Sequence, residues 1–474
     1  MTEEEIRRIV AESLIYGAHA ILNYTPIAPP EPVEEVTEIT SNGVNWTLEG
    51  IHEAGVFVTG DPWVIGPVTI TSVSPAFDGV KHGTMVDPDP AGKKQGYDTR
   101  VTGLVYDAAL NATFPLEVLP RSSVISSIGK EAPTTGGGAT KVDYIAILTV
   151  LDEVPPNNAF RPQYMAGEKT IYTTNDVNYA LLPGLPVPSG CTVMDFTKPT
   201  NYLNRVWLDH GNVYTQHAQI FPDQHFLFQP PPTSGGYPYH RALELSRMAL
   251  IALTDHPEAR NVANRLIQYG IDLTGSMNAN GMTWSRQAGF GVGRKWPLLF
   301  AEMMLEQDWS IPYYVTGNSG VLKFQEDDCT YFGPDGVPRW GEICTGSPWP
   351  GTFNGSNHTC RPSAGDVDQY AMKALGGPEG EKAGAYEICC NPRGFIGPAL
   401  AATLMKHKWQ EQHPPFFAYA DRFVDSLAQE MVDAGHFTMV NDYQEDVNKY
   451  GGDGNYFMKR MWEYYRWIGE YGNP

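Results

Sequence analysis

Three stretches of this 474-residue chain concentrate side chains able to do chemistry. The first is Trp207–His225, WLDHGNVYTQHAQIFPDQH, which holds Asp209, His210, Tyr214, His217 and His225 in one short run. Imidazole and phenol together suit taking a proton from carbon and delivering one to a leaving oxygen. Asp209 would be a general acid or the group that orients His210. The histidine spacing matches no metal motif, so no metal is expected here. The bland alternative is a buried polar corner between domains.

The second stretch is Trp284–Leu305, WSRQAGFGVGRKWPLLFAEMML. Trp284, Arg286, Arg294, Lys295 and Trp296 interleave indoles with cations, as a stacked sugar ring with a gripped carboxylate or sulfate requires. Gly289, Gly291 and Gly293 read as a turn feeding a helix whose first residue is Pro297, where a missing N–H costs nothing. Arg294 and Lys295 then sit at a helix N-terminus, which disfavours each cation by roughly 0.3–1 kcal/mol. Such a placement asks for an anion: a bound ligand or, in the bland alternative, nearby carboxylates of the chain. A nucleotide loop is a poor alternative, because the spacing is G-x-G-x-G, no Ser or Thr follows the Lys, and no clear strand precedes it.

The third stretch is Trp349–Arg361, WPGTFNGSNHTCR. Asn357 and His358, with Asn354, could neutralise the carboxyl of a sugar acid and so loosen the proton alpha to it; a surface loop pinned by a disulfide is the alternative. Asp209, Asp308, Asp366 and Asp368 could supply the carboxylate pair of a glycoside hydrolase, although Asp366 and Asp368 read as helix caps. Asp327, Asp328 and Asp335 could take a structural calcium, but their spacing misses the EF-hand pattern. No other cofactor is expected.

The elements that must position these residues fall into two textures. Thr2–Leu22 reads as an amphipathic helix with a Thr2/Glu5 capping box, followed by a Pro- and Glu-rich linker. Val44 to about Leu151 is a series of short β-branched segments separated by turns at the spacing of a sandwich. Pro155–Pro199 is Pro- and Asn-rich and reads as an extended connection. Beyond Trp207, helices are predicted at His240–Leu253, Glu258–Leu273, Pro297–Gln307, Val367–Leu375, Arg393–His407, Phe416–Ala434 and Tyr456–Tyr471, joined by long Gly/Pro/Trp-rich loops. The expected division is a helix and linker over 1–40, a β-sandwich over 41–155, a connection over 156–206 and a helical toroid over 207–474.

A net charge of −21 disfavours nucleic acid and anionic membrane surfaces as partners. No apolar run reaches the roughly 18 residues a membrane helix needs. Thr2–Arg8 is acidic and polar, so no secretory leader is visible. Yet Cys329, Cys344 and Cys360 cluster in one loop-rich stretch, which favours at least one disulfide and a secreted or cell-surface setting. The adjacent Cys389 and Cys390 read as structural.

Taken together, FRPQY (160–164), WLDH (207–210), QYGIDL (268–273), GRKWPLLFAEMML (293–305) and YEICC…GPALAATLM resemble a group of microbial proteins that join a β-sandwich to an (α/α) helical toroid. The layout is also similar to toroid polysaccharide lyases and glycoside hydrolases. That resemblance implies an α+β multidomain chain, a β-sandwich followed by a toroid, and a carbohydrate-active enzyme with an anionic polysaccharide as partner. The leading expectation is a lyase that β-eliminates a uronic-acid polymer. Tyr214 and His217, with His210 and Asp209, would be catalytic. Trp284, Arg286, Arg294, Lys295, Trp296, Asn357 and His358 would bind substrate. A hydrolase using Asp209, and a non-catalytic glycan-binding or surface-assembly protein, are the alternatives.

Overall fold

The computed structural model describes residues 34–100, 105–130, 142–191, 193, 206–210, 238–279, 284, 291–313, 324–332, 336–340, 342–343, 352–353, 356–357, 360–361, 392–427 and 457–467. The expected helices at Thr2–Leu22 and Val367–Leu375 lie outside these residues. What is described is mixed α+β, with a curled β-sheet region followed by a helical part.

The sheet grows from one hairpin. Strands β1 (Glu34–Ser41) and β2 (Val44–Val56) meet at Asn42–Gly43, whose φ angles of 47° and 80° are those a tight two-residue turn demands. The long β2 pairs along its other edge with two strands in succession, β3 (Pro62–Ile65) and β4 (Val68–Ser74). β5 (Thr84–Val86), a small pair formed by β6 (Lys94–Gln95) and β7 (Val105–Tyr106), β8 (Leu116–Val118), β9 (Ser122–Gly129) and β10 (Val142–Leu151) follow. The main sheet runs β5-β9-β10-β3-β2-β4-β8, with β1 on β2; β10 and β3 are parallel and the remaining pairs antiparallel.

β10 shows how the sheet is covered. Its apolar residues are nearly continuous, the pattern of a strand buried on both faces. Ala146, Leu148 and Val150 join Trp46, Val64, Ile70 and Val124 in one core. Ile145 and Ile147 face the other way and pack with Tyr97, Tyr164, Met165, Val206 and Leu208. That second face is therefore closed by the connecting chain.

The helices are α1 (Pro238–Ile251), α2 (Ala259–Asn278), α3 (Val292–Met304), α4 (Pro392–Leu404), α5 (Trp409–Gln412), α6 (Pro414–Arg422) and α7 (Phe457–Tyr465). α1 packs on α2, α3, α4 and α7. α3 is buried almost all round, which its apolar sequence permits only in the middle of a helical layer. At Gly270 a Cβ would fall 2.4 Å from the Pro297 carbonyl oxygen, so the glycine is what lets α2 and α3 approach so closely. The connecting chain runs across the helices: Asn178 N–H donates to Met304 O, and Leu185 exchanges backbone bonds with Leu253 and Asp255.

Candidate functional site

Helix α3 begins five residues earlier than its proline suggests. It starts at Val292, and Pro297 lies inside it. Arg294 and Lys295 therefore belong to its first turn. The anions that such a placement demands are the protein's own. Glu326 accepts the Val292 N–H at 2.8 Å, the role a capping carboxylate plays at a helix start. Asp209 takes the Arg294 guanidinium, with Nη2 to Oδ1 at 2.8 Å and Nε within 3.2 Å of both oxygens. Asp327 takes Lys295 Nζ at 2.5 Å, and Lys295 also donates to the Tyr313 carbonyl. Each cation is 1% exposed. Burial pulls the Arg294 pKa down, but Asp209 more than restores it, so the guanidinium stays charged. Burial lowers the Lys295 pKa, with Asp327 opposing.

Arg294 and Lys295, expected to hold a substrate carboxylate, are each paired with a carboxylate of the chain itself. The physical reason is that a cation removed from water must be matched nearby. The two indoles are core residues as well. Trp284, 1% exposed, stacks on Phe324 at 5.0 Å and donates its N–H to Asp209 Oδ2 at 2.9 Å. Trp296, fully buried, stacks against Trp409. Neither offers a face to a sugar. Arg286 and His358 lie outside the described residues, and Asn357 falls in a two-residue strand paired with Thr352–Phe353.

The WLDH segment is the polar corner that these ion pairs converge on. Asp209 and His210 donate their backbone N–H groups to the Tyr164 phenol oxygen at 2.6 and 3.0 Å. His210 Nδ1 lies 3.3 Å from the same oxygen, and its ring is set between Tyr97 and Tyr164. Ser276 on α2 donates to the Asp209 carbonyl at 3.1 Å. Burial drops the His210 pKa to about 3, Asp209 opposing, so the imidazole is neutral. Burial also raises the Tyr164 phenol well above its ordinary range. Asp209 and His210 are each 1% exposed. In this position Asp209 is the counter-charge of Arg294, and His210 is a packed neutral ring. Tyr214 and His217 lie outside the described residues.

A second convergence was not singled out as a site from sequence. Arg161, from FRPQY, sits between the sheet and α2. Its Nε reaches Asp61 Oδ2 at 3.2 Å, and Nη1 and Nη2 reach both oxygens of Asp272 at 2.9 and 2.7 Å. Gln268 clamps the Arg161 backbone in both directions, accepting its N–H at 3.0 Å and donating to its carbonyl at 2.9 Å. So FRPQY and QYGIDL are partners, as are WLDH and GRKW. Burial pushes the Asp272 carboxyl up to about 6, with Arg161 pulling the other way.

Beside this triad opens a small cleft of about 30 Å³. Asp61, Arg161, Arg265, Asp272, Trp207 and Tyr269 line it, with the Trp207 and Tyr269 rings edge to face at 5.0 Å. Arg265, Gln268, Tyr269 and Asp272 stand on one face of α2, at i, i+3, i+4 and i+7. A polar stripe at that spacing, cut into the apolar run of RLIQYGIDL, was the signal in the sequence that marks this face. Arg265 Nε is buried with no hydrogen-bond partner. Burial lowers the Arg265 pKa, Asp61 pulling it back and Arg161 adding to the effect.

Asp327, one of the three acids weighed for calcium, is engaged by Lys295, and Asp335 lies outside the described residues. Among the described residues no group of three or more His, Cys, Asp or Glu side chains is placed to hold a metal ion. No disulfide forms among the described residues: Cys329 is buried, Cys191 half-buried, and Cys344 lies outside them. No described helix is long and apolar enough to cross a membrane. No family model, curated protein or solved structure matches the chain.

Proposed function

We propose that the protein is a carbohydrate-active enzyme of the polysaccharide lyase type, acting on a uronic-acid-containing polysaccharide at the seam between sheet and helices. The observation that carries this reading is the seam cleft, where an indole, a phenol and a guanidinium share one opening. Trp207, in its wall, belongs to the segment that continues to Tyr214 and His217. Those residues lie four and seven positions beyond His210. One would take the proton alpha to the uronate carboxyl. The C–H pair would form the new double bond, the glycosidic C–O bond would break, and the other would protonate the leaving oxygen. Asn357 and His358 would neutralise the carboxyl. Asp209, His210, Arg294, Lys295, Trp284 and Trp296 would act from beneath as the rigid support. In this reading the sheet belongs to a β-sandwich over 41–155, the helices to an (α/α) toroid over 207–474, and the chain works outside the cell or on its surface.

The test is ultraviolet absorbance of an unsaturated uronide, released from a panel of uronic-acid polymers and lost in Tyr214→Phe and His217→Ala. New reducing ends without that absorbance would mean hydrolysis. A specific observation favours a different second reading, glycan binding without turnover. Asp209, the leading acid of the hydrolase alternative, is held in contact with Arg294. Retention of polymer with neither absorbance nor reducing ends would establish it.

A further inference from the structure

Tyr164 meets both the backbone and the imidazole of the WLDH corner. Its phenol oxygen accepts the Asp209 N–H at 2.6 Å and the His210 N–H at 3.0 Å, and His210 Nδ1 lies 3.3 Å from it. A hydroxyl has one proton and two acceptor lone pairs. The two backbone donors fill both lone pairs, so the contact with Nδ1 is made by the hydroxyl proton. Nδ1 therefore accepts, and the ring proton of the neutral imidazole sits on Nε2. The opposite tautomer, or an imidazolium, would aim an Nδ1–H at an oxygen with no lone pair left to receive it. The Asp209 carboxylate is turned instead to Arg294 and to the Trp284 indole. Its carbonyl accepts from Ser276, so the peptide joining Asp209 to His210 is held at both ends, the oxygen by Ser276 and the N–H by Tyr164. Tyr164 is fully buried and packs in one core with Tyr97, Ile145 and Ile147.

We infer that Tyr164 is a positioning residue, which holds His210 as the Nε2–H tautomer so that its Nε2 presents a proton and not a lone pair. Sequence pointed to Asp209 as the group that orients His210; the hydrogen bonds give that role to Tyr164 of FRPQY. For the proposed elimination the consequence is a division of labour. His210 serves as a donor, and the base that takes the proton from carbon is Tyr214 or His217. The lyase reading is needed for the effect on turnover and not for the tautomer.

The experiment is long-range proton–nitrogen correlation NMR of the full chain carrying isotopically labelled histidine, with His210→Gln assigning the His210 signals. At neutral pH the wild type is expected to show a protonated Nε2 and a bare Nδ1. Tyr164→Phe keeps the ring and removes the oxygen. Both tautomers should then be populated, which draws the two nitrogen shifts together. A protonated Nδ1 in the wild type, an imidazolium at neutral pH, or a Tyr164→Phe spectrum that keeps the pure Nε2–H form would each overturn the inference. The wild-type spectrum decides the tautomer even where Tyr164→Phe fails to fold. On a uronic-acid polymer that the wild type cleaves, Tyr164→Phe should lower kcat by about a hundredfold with KM little changed, the scale of a small misplacement near reacting groups. An unchanged kcat would overturn the positioning role. A wild type that cleaves no polymer would remove the lyase reading and leave the spectrum to decide the tautomer.

Discussion

Replacing Asp209 by Asn isolates what holds the WLDH corner together. Asp209 accepts from Arg294 through Nε and Nη2 and from Trp284 through its indole N–H. The amide keeps an acceptor for the indole and removes the charge. Arg294 then loses the carboxylate in contact with it, and breaking a buried ion pair in this way costs about 3–5 kcal/mol. For a cooperative unit of about 150–250 residues, each kcal/mol lowers the melting temperature by about 2–4 °C. The expected loss is therefore about 6–20 °C in a thermal melt followed by circular dichroism. Arg294→Met should cost a comparable amount, by stranding Asp209. The double variant removes both charges together, and its loss should fall short of the sum of the singles by about 1–3 kcal/mol. Singles that melt within about 2 °C of wild type, or losses that simply add, would refute the assignment of Arg294 to an internal role.

Three further outcomes follow from the same pairings. Arg161→Gln strands Asp61 and Asp272 together and should destabilise by about 3–5 kcal/mol. This variant should also recover part of that loss on acidification, because protonating Asp272 relieves the repulsion; urea melts at two pH values check both. Three buried histidines carry the opposite sign. Burial depresses the pKa of His210 to about 3 and of His407 to about 4, and lowers that of His413, so the folded state refuses protons that the unfolded chain accepts below its ordinary value of 6.5. Stability from these groups is whole above that pH and falls as pH drops toward the folded values, by at most about 1.4 kcal/mol per unit per histidine. His210→Gln should flatten the dependence of stability on pH by up to one proton, and an unchanged slope would contradict a neutral buried imidazole.

Much of the architecture was legible because local chemistry and tertiary structure agree. DYIAILTVL reads as a strand and RLIQYGIDL as helix, whereas β1 falls where a linker over 1–40 is expected. The start of α3 was missed because Pro297 lies inside the helix rather than at its first position, and the helix start is marked instead by Glu326, which accepts the Val292 N–H. The cluster of Arg294, Lys295 and Trp296 signalled a need for anions correctly. Sequence could not say that the anions would be Asp209 and Asp327, 85 and 32 residues away. The same limit hid Arg161 and Arg265. Each is an ordinary cation in one dimension, and what separates them is that one is met by two carboxylates and the other by none in contact.

A single assay bears on whether an acidic sugar is bound at the seam and cleaved there. Purified full-length chain is incubated with uronic-acid polymers and followed by ultraviolet absorbance of the conjugated double bond. Absorbance that rises with wild type and collapses in Tyr214→Phe and His217→Ala is the predicted result. A flat trace on every polymer, or a rise that neither substitution changes, would contradict it.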